Sequence, residues 1–443
     1  MKLFFAIVAC RLLRFVGGLV GKGSSLPGQY ALKLCPDALG RVKLPEHIIA
    51  VTGSNGKTST VEMTAAILTA AGKRVVYNKE GSNQIEGVTT LILTNCTLSG
   101  RLRGDVLLLE SDERYARHTF RWFHPTHFVI TNLYRDQLTR NGHPEWVYDA
   151  ILPAIHPETT LVLNADDPLV SRFAVGHDPA RVKWFGLEEC SISTKEHRGV
   201  YHDGLRCPVC RGKMEYSCYH YAHIGHYRCT VCGHSRHAPD FAATALDLKE
   251  GRLTVNGGTE IQLAFRSIYN VYNILAAWSA CALAGADEGT MAGVINNYIL
   301  KNGRMITFTL GARRGTLLTS KHENPVAYDT NLGYIEAQGQ PCEVMVIVDA
   351  VSRKYFTGET SWLWDIDFDR LAVPHVEKVW LCGKYVNDLA LRFDYSAVPA
   401  DRLVLRDSIP AAAEELKNAG ELPLYVVTCF SDRDKLLSHV QKD

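Results

Sequence analysis

The chain has 443 residues, 46% of them hydrophobic and 21% charged. That is the balance of a folded protein of roughly two to four domains and excludes a disordered or low-complexity chain. Lys plus Arg is 48 against 47 for Asp plus Glu, so no global field draws in nucleic acid or an anionic membrane, and a polyanion must bind at a local site. The 13 cysteines, odd in number and scattered, argue for a reducing compartment rather than a disulfide scaffold.

Residues 1–23 (MKLFFAIVACRLLRFVGGLVGKG) start like a signal peptide, but Arg11 and Arg14 interrupt the apolar run and no Ala-x-Ala pattern follows. The stretch reads as an amphipathic helix packed on a domain, with a helix lying on a membrane surface as the rival reading. Gly23, Pro27 and Gly28 break it before a second helix over 30–39. His47–Thr52 reads as a buried parallel strand entering a Gly-rich turn, followed by a helix over 61–71. Strand-like runs at 75–77, 106–109, 128–131 and 161–163 alternate with helices or loops, the pattern of a doubly wound α/β domain. From 197 to 237 the chain is rich in Cys, His, Tyr and Gly, as an insertion would be. A long helix spans 268–285, and after Gly303 strands at 344–348, 378–381, 402–404 and 424–427 mark a second, smaller Rossmann-like α/β unit. The domains expected are a helical segment over 1–45, a central α/β domain over 46–305 with the insertion at 200–237, and a C-terminal domain over 306–443.

Thr52-Gly53-Ser54-Asn55-Gly56-Lys57-Thr58 follows a strand and opens a helix. Such a loop aims backbone N–H groups and a helix dipole at phosphates; Lys57 would neutralise phosphate charge and Thr58 would ligate Mg²⁺. Val51 stands where the standard phosphate loop has its first Gly. Glu110, ending a strand, is the first choice for a further Mg²⁺ ligand, with Asp112 and Glu113 behind it; a solvated acidic turn is the plainer reading. Cys207-x-x-Cys210 and Cys229-x-x-Cys232, with 18 residues between the pairs, predict a four-thiolate structural zinc ribbon with no open coordination position. His223, His226 and His234 are expected on the surface.

These residues carry a resemblance over essentially the whole chain. TGSNGKT resembles the ATP loop of the Mur ligases and folylpolyglutamate synthetases, and Asn164-Ala165-Asp166-Asp167-Pro168 resembles their NADDP stretch. Asn270-Val271-Tyr272-Asn273, leading into Ala276-Ala277, is similar to their HNxxNxxAA helix with Tyr269 in the His position, and Gly303-Arg304-Met305 to their GRM element. Within that superfamily the chain resembles the MurT synthetases. The stretch 132–138 (NLYRDQL), the Cys₄ insertion, 321–329 (KHENPVAYD) and Ser361–Asp365 (SWLWD) carry this closer likeness.

The resemblance implies a Mur-ligase-like fold binding ATP and Mg²⁺. Gly53, Ser54, Asn55, Gly56, Lys57 and Thr58 would hold phosphates and metal. Asn83 would lie near the nucleotide, Glu110 on Mg²⁺, Asn270 on adenine and Arg304 on ATP. Gln137 stands where Mur ligases carry a metal-binding His. The family's activity would be amidation of the D-glutamate α-carboxyl of the lipid II stem peptide to D-isoglutamine, through an acyl phosphate, at the cytoplasmic face of the membrane. No Gly-x-Cys-x-Gly nucleophile motif occurs in the chain, and Cys382 lacks that context, so ammonia is expected from a separate GatD-type glutaminase. Glu359 replaces the family Asp implicated in the partner's triad, with Asp349 as the fallback. The alternatives are a folylpolyglutamate-type amino-acid ligase and a zinc-ribbon NTPase on nucleic acid, the latter disfavoured by near-neutral charge.

Overall fold

The computed structural model describes residues 1–19, 23–78, 82–137, 141–298, 305–351, 358–418 and 420–442. The chain forms two compact units. The first comprises residues 1–134, 144–197 and 203–300; the second comprises 135–143, 198–202 and 301–443.

The first unit opens with three helices, α1 (Lys2–Leu19), α2 (Leu26–Leu34) and α3 (Ala38–Arg41). The single helix expected over 30–39 is two. Pro27 sits in the first turn of α2, where its missing N–H costs nothing, and Cys35, extended at φ −142° before Pro36, ends it. The strands are β1 (His47–Thr52), β2 (Val75–Tyr77), β3 (Val106–Glu110), β4 (His127–Ile130), β5 (Thr160–Asn164) and β6 (Val182–Leu187). After them come β7 (Met214–Tyr221), β8 (Ile224–Cys229), β9 (Phe241–Asp247), β10 (Arg252–Val255) and β11 (Thr259–Gln262). Nine form one sheet in the order β11-β10-β9-β6-β5-β4-β1-β3-β2, while β7 and β8 pair separately as a hairpin. In that sheet β2, β3, β1, β4, β5, β6 and β9 run parallel, and β10 and β11 add an antiparallel edge.

β1 is apolar because it is central, with β3 on one side and β4 on the other. The order reverses there: α4 (Lys57–Ala70) leads to β2 on one flank, whereas β4 lies on the other. Ligands bind in the crevice at such a switch point, beyond the carboxyl ends of the strands. That crevice receives the Gly-rich loop, the residues after β3 and those after β4.

In the second unit the strands are β12 (Met305–Leu310), β13 (Arg313–Ser320), β14 (Cys342–Ile347), β15 (Val376–Cys382), β16 (Leu403–Arg406), β17 (Leu424–Cys429) and β18 (Gln441–Lys442). Their order is β16-β15-β14-β17-β13-β12-β18. The five from β16 to β13 are parallel and carry separate apolar clusters, one around Trp362, Phe368 and Phe393, the other around Phe308, Trp380 and Leu436. Among the described residues no helix is long and apolar enough to cross a membrane.

Candidate active site

The loop between β1 and α4 needs glycine at both ends. Gly53 has φ +129°, and a Cβ there would lie 2.3 Å from Thr131 Oγ1. Gly56 has φ +86°, and its Cβ would lie 2.1 Å from Asn273 Oδ1. The segment after β4 fixes the middle of the loop. Ser54 N donates to Asn132 O at 2.9 Å, Asn55 N to Asn132 Oδ1 at 2.9 Å, and Thr131 Oγ1 to Asn55 O at 2.7 Å. No side chain caps the N-terminus of α4. Lys57 is buried at its first position, and its ammonium donates to Gly53 O and to the Glu113 carboxylate. Burial pushes the Glu113 carboxyl above its ordinary value, against the pull of Lys57. Thr58 is exposed.

Glu110, nearly buried at the end of β3, accepts from Asn83 Nδ2 at 2.9 Å; Asn83 Oδ1 accepts from Asn78 Nδ2 at 2.7 Å. Asn78 Oδ1 in turn accepts from Glu110 N at 3.2 Å, closing a ring of three side chains beside the loop. Asp112 turns its carboxylate to Arg114 N at 3.1 Å.

The two aspartates of NADDP are fully buried and hold the structure together. Asp167 caps the next helical turn through Leu169 N (2.8 Å) and accepts from Leu133 N (2.9 Å). Asp166 accepts from Tyr272 Oη (2.7 Å), Leu187 N (2.7 Å) and Arg236 Nε (2.6 Å). On the helix Ile268–Leu283, Asn270 is buried, with Nδ2 on Phe265 O at 3.2 Å and Oδ1 without a hydrogen-bond partner among the described residues. One turn further, Asn273 lies over Gly56. Arg304 lies outside the described residues.

The insertion folds as the β7–β8 hairpin around a small cluster of Cys207, Met214, Tyr227 and Cys229. The four predicted thiols converge: Cys207 and Cys232 Sγ are 3.6 Å apart, Cys210 and Cys229 Sγ 3.5 Å, and all four lie within 4.8 Å of one another. Backbone N–H groups of Cys232 and Val231 point at Cys229 Sγ and pull its thiol down to about 6. The histidines expected on the surface are not free there. His223 is buried beside Asp167, His226 Nε2 bonds Leu187 O at 2.9 Å, and His234 Nε2 meets Ser171 Oγ at 2.8 Å. Basic residues around the hairpin are also engaged: Arg211 pairs with Glu145, and Arg236 with Asp166 and Glu188.

In the second unit three sequence motifs meet. Arg135 pairs with Asp365 at 3.0 Å, Asn324 Nδ2 donates to Asp136 Oδ1 at 2.7 Å, and Gln137 N donates to Glu323 O at 2.8 Å. Asn324 also caps the helix Pro325–Glu336 through Ala327 N. Gln137 has φ +47°. Glu359 is exposed; its bond from Ser361 N, at 2.7 Å, holds its carboxyl below the ordinary value. Asp349, just beyond β14, accepts from Lys384 N at 2.8 Å and pairs with Lys435; against its partial burial, these hold its carboxyl low.

The sequence reading missed Thr131 and Asn132, which shape the loop, and Asn273, which covers it. Asn273 and Asn132 stood inside motifs the sequence offered, the Asn270–Asn273 helix and the 132–138 stretch, without a role attached; Thr131 had position alone, as the first residue past a central parallel strand.

Comparison with known proteins agrees with this architecture. A pseudomurein peptide ligase type C from Methanothermus fervidus superposes with a TM-score of 0.68 at 20% identity, covering 89% of this chain and 78% of that one. MurF from Acinetobacter baumannii superposes with a TM-score of 0.64 at 15% identity, covering 93% and 80%. Residues 51–216 match the Mur ligase middle domain and residues 322–432 the MurT ligase C-terminal domain. Fold and loop together define an ATP-dependent ligase of the Mur type. The lipid II isoglutaminyl synthase (glutamine-hydrolyzing) subunit MurT of Streptococcus pneumoniae is 30% identical over 437 residues, 97% of this chain and 95% of that protein. The subunit of the same name from Staphylococcus aureus N315 is 27% identical over 95% and 94%. The chain belongs to the MurT family.

Proposed function

We propose that this chain amidates the α-carboxyl of the D-glutamate in the stem peptide of lipid II, giving D-isoglutamine, with ammonia delivered by a GatD-type glutaminase. The observation that carries the reading is the Gly53–Lys57 loop at the switch point of a MurT-family chain, with glycines where a Cβ would run into Thr131 and Asn273. The carboxylate attacks the γ-phosphorus of ATP, a carboxyl-oxygen–phosphorus bond forms, and ADP leaves. Ammonia then adds to the acyl-phosphate carbon, phosphate departs with the bonding electrons, and the nitrogen loses a proton. Lys57 moves from Glu113 to the phosphates and meets the charge that builds on the transferring group. Backbone N–H groups of Gly56, Lys57 and Thr58 bind the phosphate oxygens, while Ser54 and Asn55, whose N–H groups donate to Asn132, set the shape of the loop. The unpartnered Oδ1 of Asn270 accepts from the adenine amino group, and Arg304 contacts the nucleotide. Thr58 and Glu110, the latter oriented by Asn83, fit a Mg²⁺ ion, which when bound supplies charge neutralisation between the phosphate oxygens.

Cys207, Cys210, Cys229 and Cys232 fit a structural Zn²⁺: four sulfurs within 4.8 Å, with backbone N–H groups turned toward them, match a closed tetrahedral set. Glu359 orients a histidine of the glutaminase, with Asp349 as the second candidate. The central domain spans 46–305 and the C-terminal domain 306–443, and the enzyme works at the inner face of the cytoplasmic membrane. Nucleic acid is disfavoured by the near-neutral charge of the whole chain, and two of the cations beside the hairpin, Arg211 and Arg236, already have carboxylate partners.

The test is incubation of the purified chain with lipid II, ATP and ammonium, followed by mass spectrometry of the stem peptide. ATP-dependent conversion of one acid to an amide is expected, and glutamine replaces ammonium only when the glutaminase is added. Addition of a whole amino acid instead would overturn the reading.

A further inference from the structure

Helix α1 is apolar on two opposite sides. At about 100° per residue, Ala6, Ile7 and Cys10 project one way, and they are fully buried in the core of the first unit. Met1, Phe5, Leu12, Phe15 and Val16 project the other way and are exposed, Phe5 at 60%, Leu12 at 63% and Phe15 at 75%. No charged residue interrupts that second stripe. A helix hydrophobic all round belongs in an interior, yet half of this one is open. The neighbouring α2 adds Leu26, Tyr30 and Leu34, four residues apart and all exposed. This is a run of large apolar side chains, not the scattered single ones of an ordinary surface.

The charge carried by these two helices has one sign. No Asp or Glu precedes Asp37, and Asp37 is paired with Arg41 at 2.6 Å. Lys2, Lys33, Lys43, Arg101 and Arg103 are all exposed. The loop carrying Arg101 abuts the first turn of α1, where a Cβ on Gly100 would lie 2.7 Å from Leu3. Arg11 and Arg14, midway along α1, donate to the carbonyls of Cys96 and Gly23, which ties the helix to the protein.

We infer that α1, flanked by α2, is a docking surface for an anionic lipid bilayer. The phenyl and leucyl side chains enter the acyl boundary and the rim of cations meets the headgroups. The near-neutral whole chain hides this local field, because the excess is confined to the first helices and the adjoining loop. The helix lies along the surface: its inner face stays in the core, and its arginines stay on their carbonyls. An apolar stripe on helices whose own charges are all cationic complements the acyl boundary and anionic headgroups of a bilayer. The inference stands apart from the proposed amidation, since its test involves neither ATP nor stem peptide.

The experiment is flotation of the full-length chain with vesicles of phosphatidylcholine containing phosphatidylglycerol, against phosphatidylcholine alone. Binding to the anionic vesicles is expected, weakened about tenfold by high salt or by omitting phosphatidylglycerol. The double variant Phe5→Glu/Phe15→Glu should lose binding at least about tenfold, with its circular dichroism melt unchanged because both side chains are exposed. Lys2→Glu/Arg101→Glu should weaken binding to anionic vesicles only. Absence of flotation by the unmodified chain, or undiminished flotation by both variants, overturns the inference. So does a dimer, seen by light scattering, that Phe15→Glu dissociates while vesicle binding is missing, for then a second copy covers the stripe.

Discussion

Lys57 and Glu113 form an ion pair buried beneath the phosphate loop, and the same ammonium reaches back to Gly53 O. The cation we propose for the ATP phosphates is thus held in place by a carboxylate whose proton affinity burial raises.

Lys57→Ala should lower ATP-dependent amidation by on the order of 100-fold or more. It should also destabilise the first unit by about 3 kcal/mol, because Glu113 is left buried without its cation. Adding Glu113→Gln should restore much of the stability and none of the activity. Chemical denaturation beside turnover separates the two effects; a Lys57→Ala enzyme with normal turnover would falsify the role given to the loop.

Gly56→Ala should abolish nucleotide binding with little loss of fold. The new methyl group would sit 2.1 Å from Asn273 Oδ1 on a backbone at φ +86°, so the loop must move. Titration of a fluorescent ATP analogue reads this directly, and pairing with Asn273→Gly should recover part of the affinity by removing the obstacle.

The strand–loop–helix around Lys57 was legible because its residues have few other uses: an apolar run too short for a helix, two glycines, then Lys-Thr. The same holds for β3, β4, β5, β14, β15 and β17, each a buried parallel strand with a continuous aliphatic stretch. β9 to β11 escaped notice because FAATALD, RLTV and TEIQ mix small and polar residues, being half-exposed at the sheet edge. β12 escaped because MITFTL mixes threonines with apolar residues and is half-exposed, and β13, although largely buried, because it opens on Arg313-Arg314-Gly315. The cysteine spacing foretold which thiols meet. Spacing could not reveal that Asp166 and Asp167 act as buried hubs, since their partners Tyr272, Arg236 and Leu133 are remote in sequence.

Protein prepared without chelators should carry about one zinc per chain. Cys229→Ser should release it and lower the melting temperature of the insertion while sparing most ammonia-dependent turnover. Elemental analysis with no zinc, in chain whose four thiols remain reduced, would remove the metal from the description.

Glu359→Gln keeps the length of the side chain and its bond from Ser361 N while removing the charge. Glutamine-dependent amidation by the complex should fall by orders of magnitude, as for loss of a triad carboxylate. Ammonia-dependent amidation should hold. Equal loss in both reactions would make Glu359 structural, and loss in neither would pass the role to Asp349.

Asp329, on the helix Pro325–Glu336, is pushed up to about 7 by burial, with Asp367 and Asp365 adding to the rise and Arg370 opposing it. The folded chain therefore holds this proton more tightly than the unfolded one. The resulting stability is present in full below the ordinary Asp value and is lost as the pH rises through about 7. Asp329→Asn, which keeps an acceptor for Asp367 N, should raise the melting temperature at pH 8 by roughly 3 °C or more and leave it little changed at pH 4. An equal shift at both values would exclude the titration.

The second unit is not one stretch of chain: it takes in residues 135–143 and 198–202 from the first half of the sequence. A fragment cut at residue 301 would lose Asp136, the acceptor for Asn324, and Arg135, the counter-ion of Asp365. A C-terminal portion starting at residue 301 would therefore lack two of its polar contacts, and a gene fusion meant to carry it elsewhere would have to bring those upstream residues along.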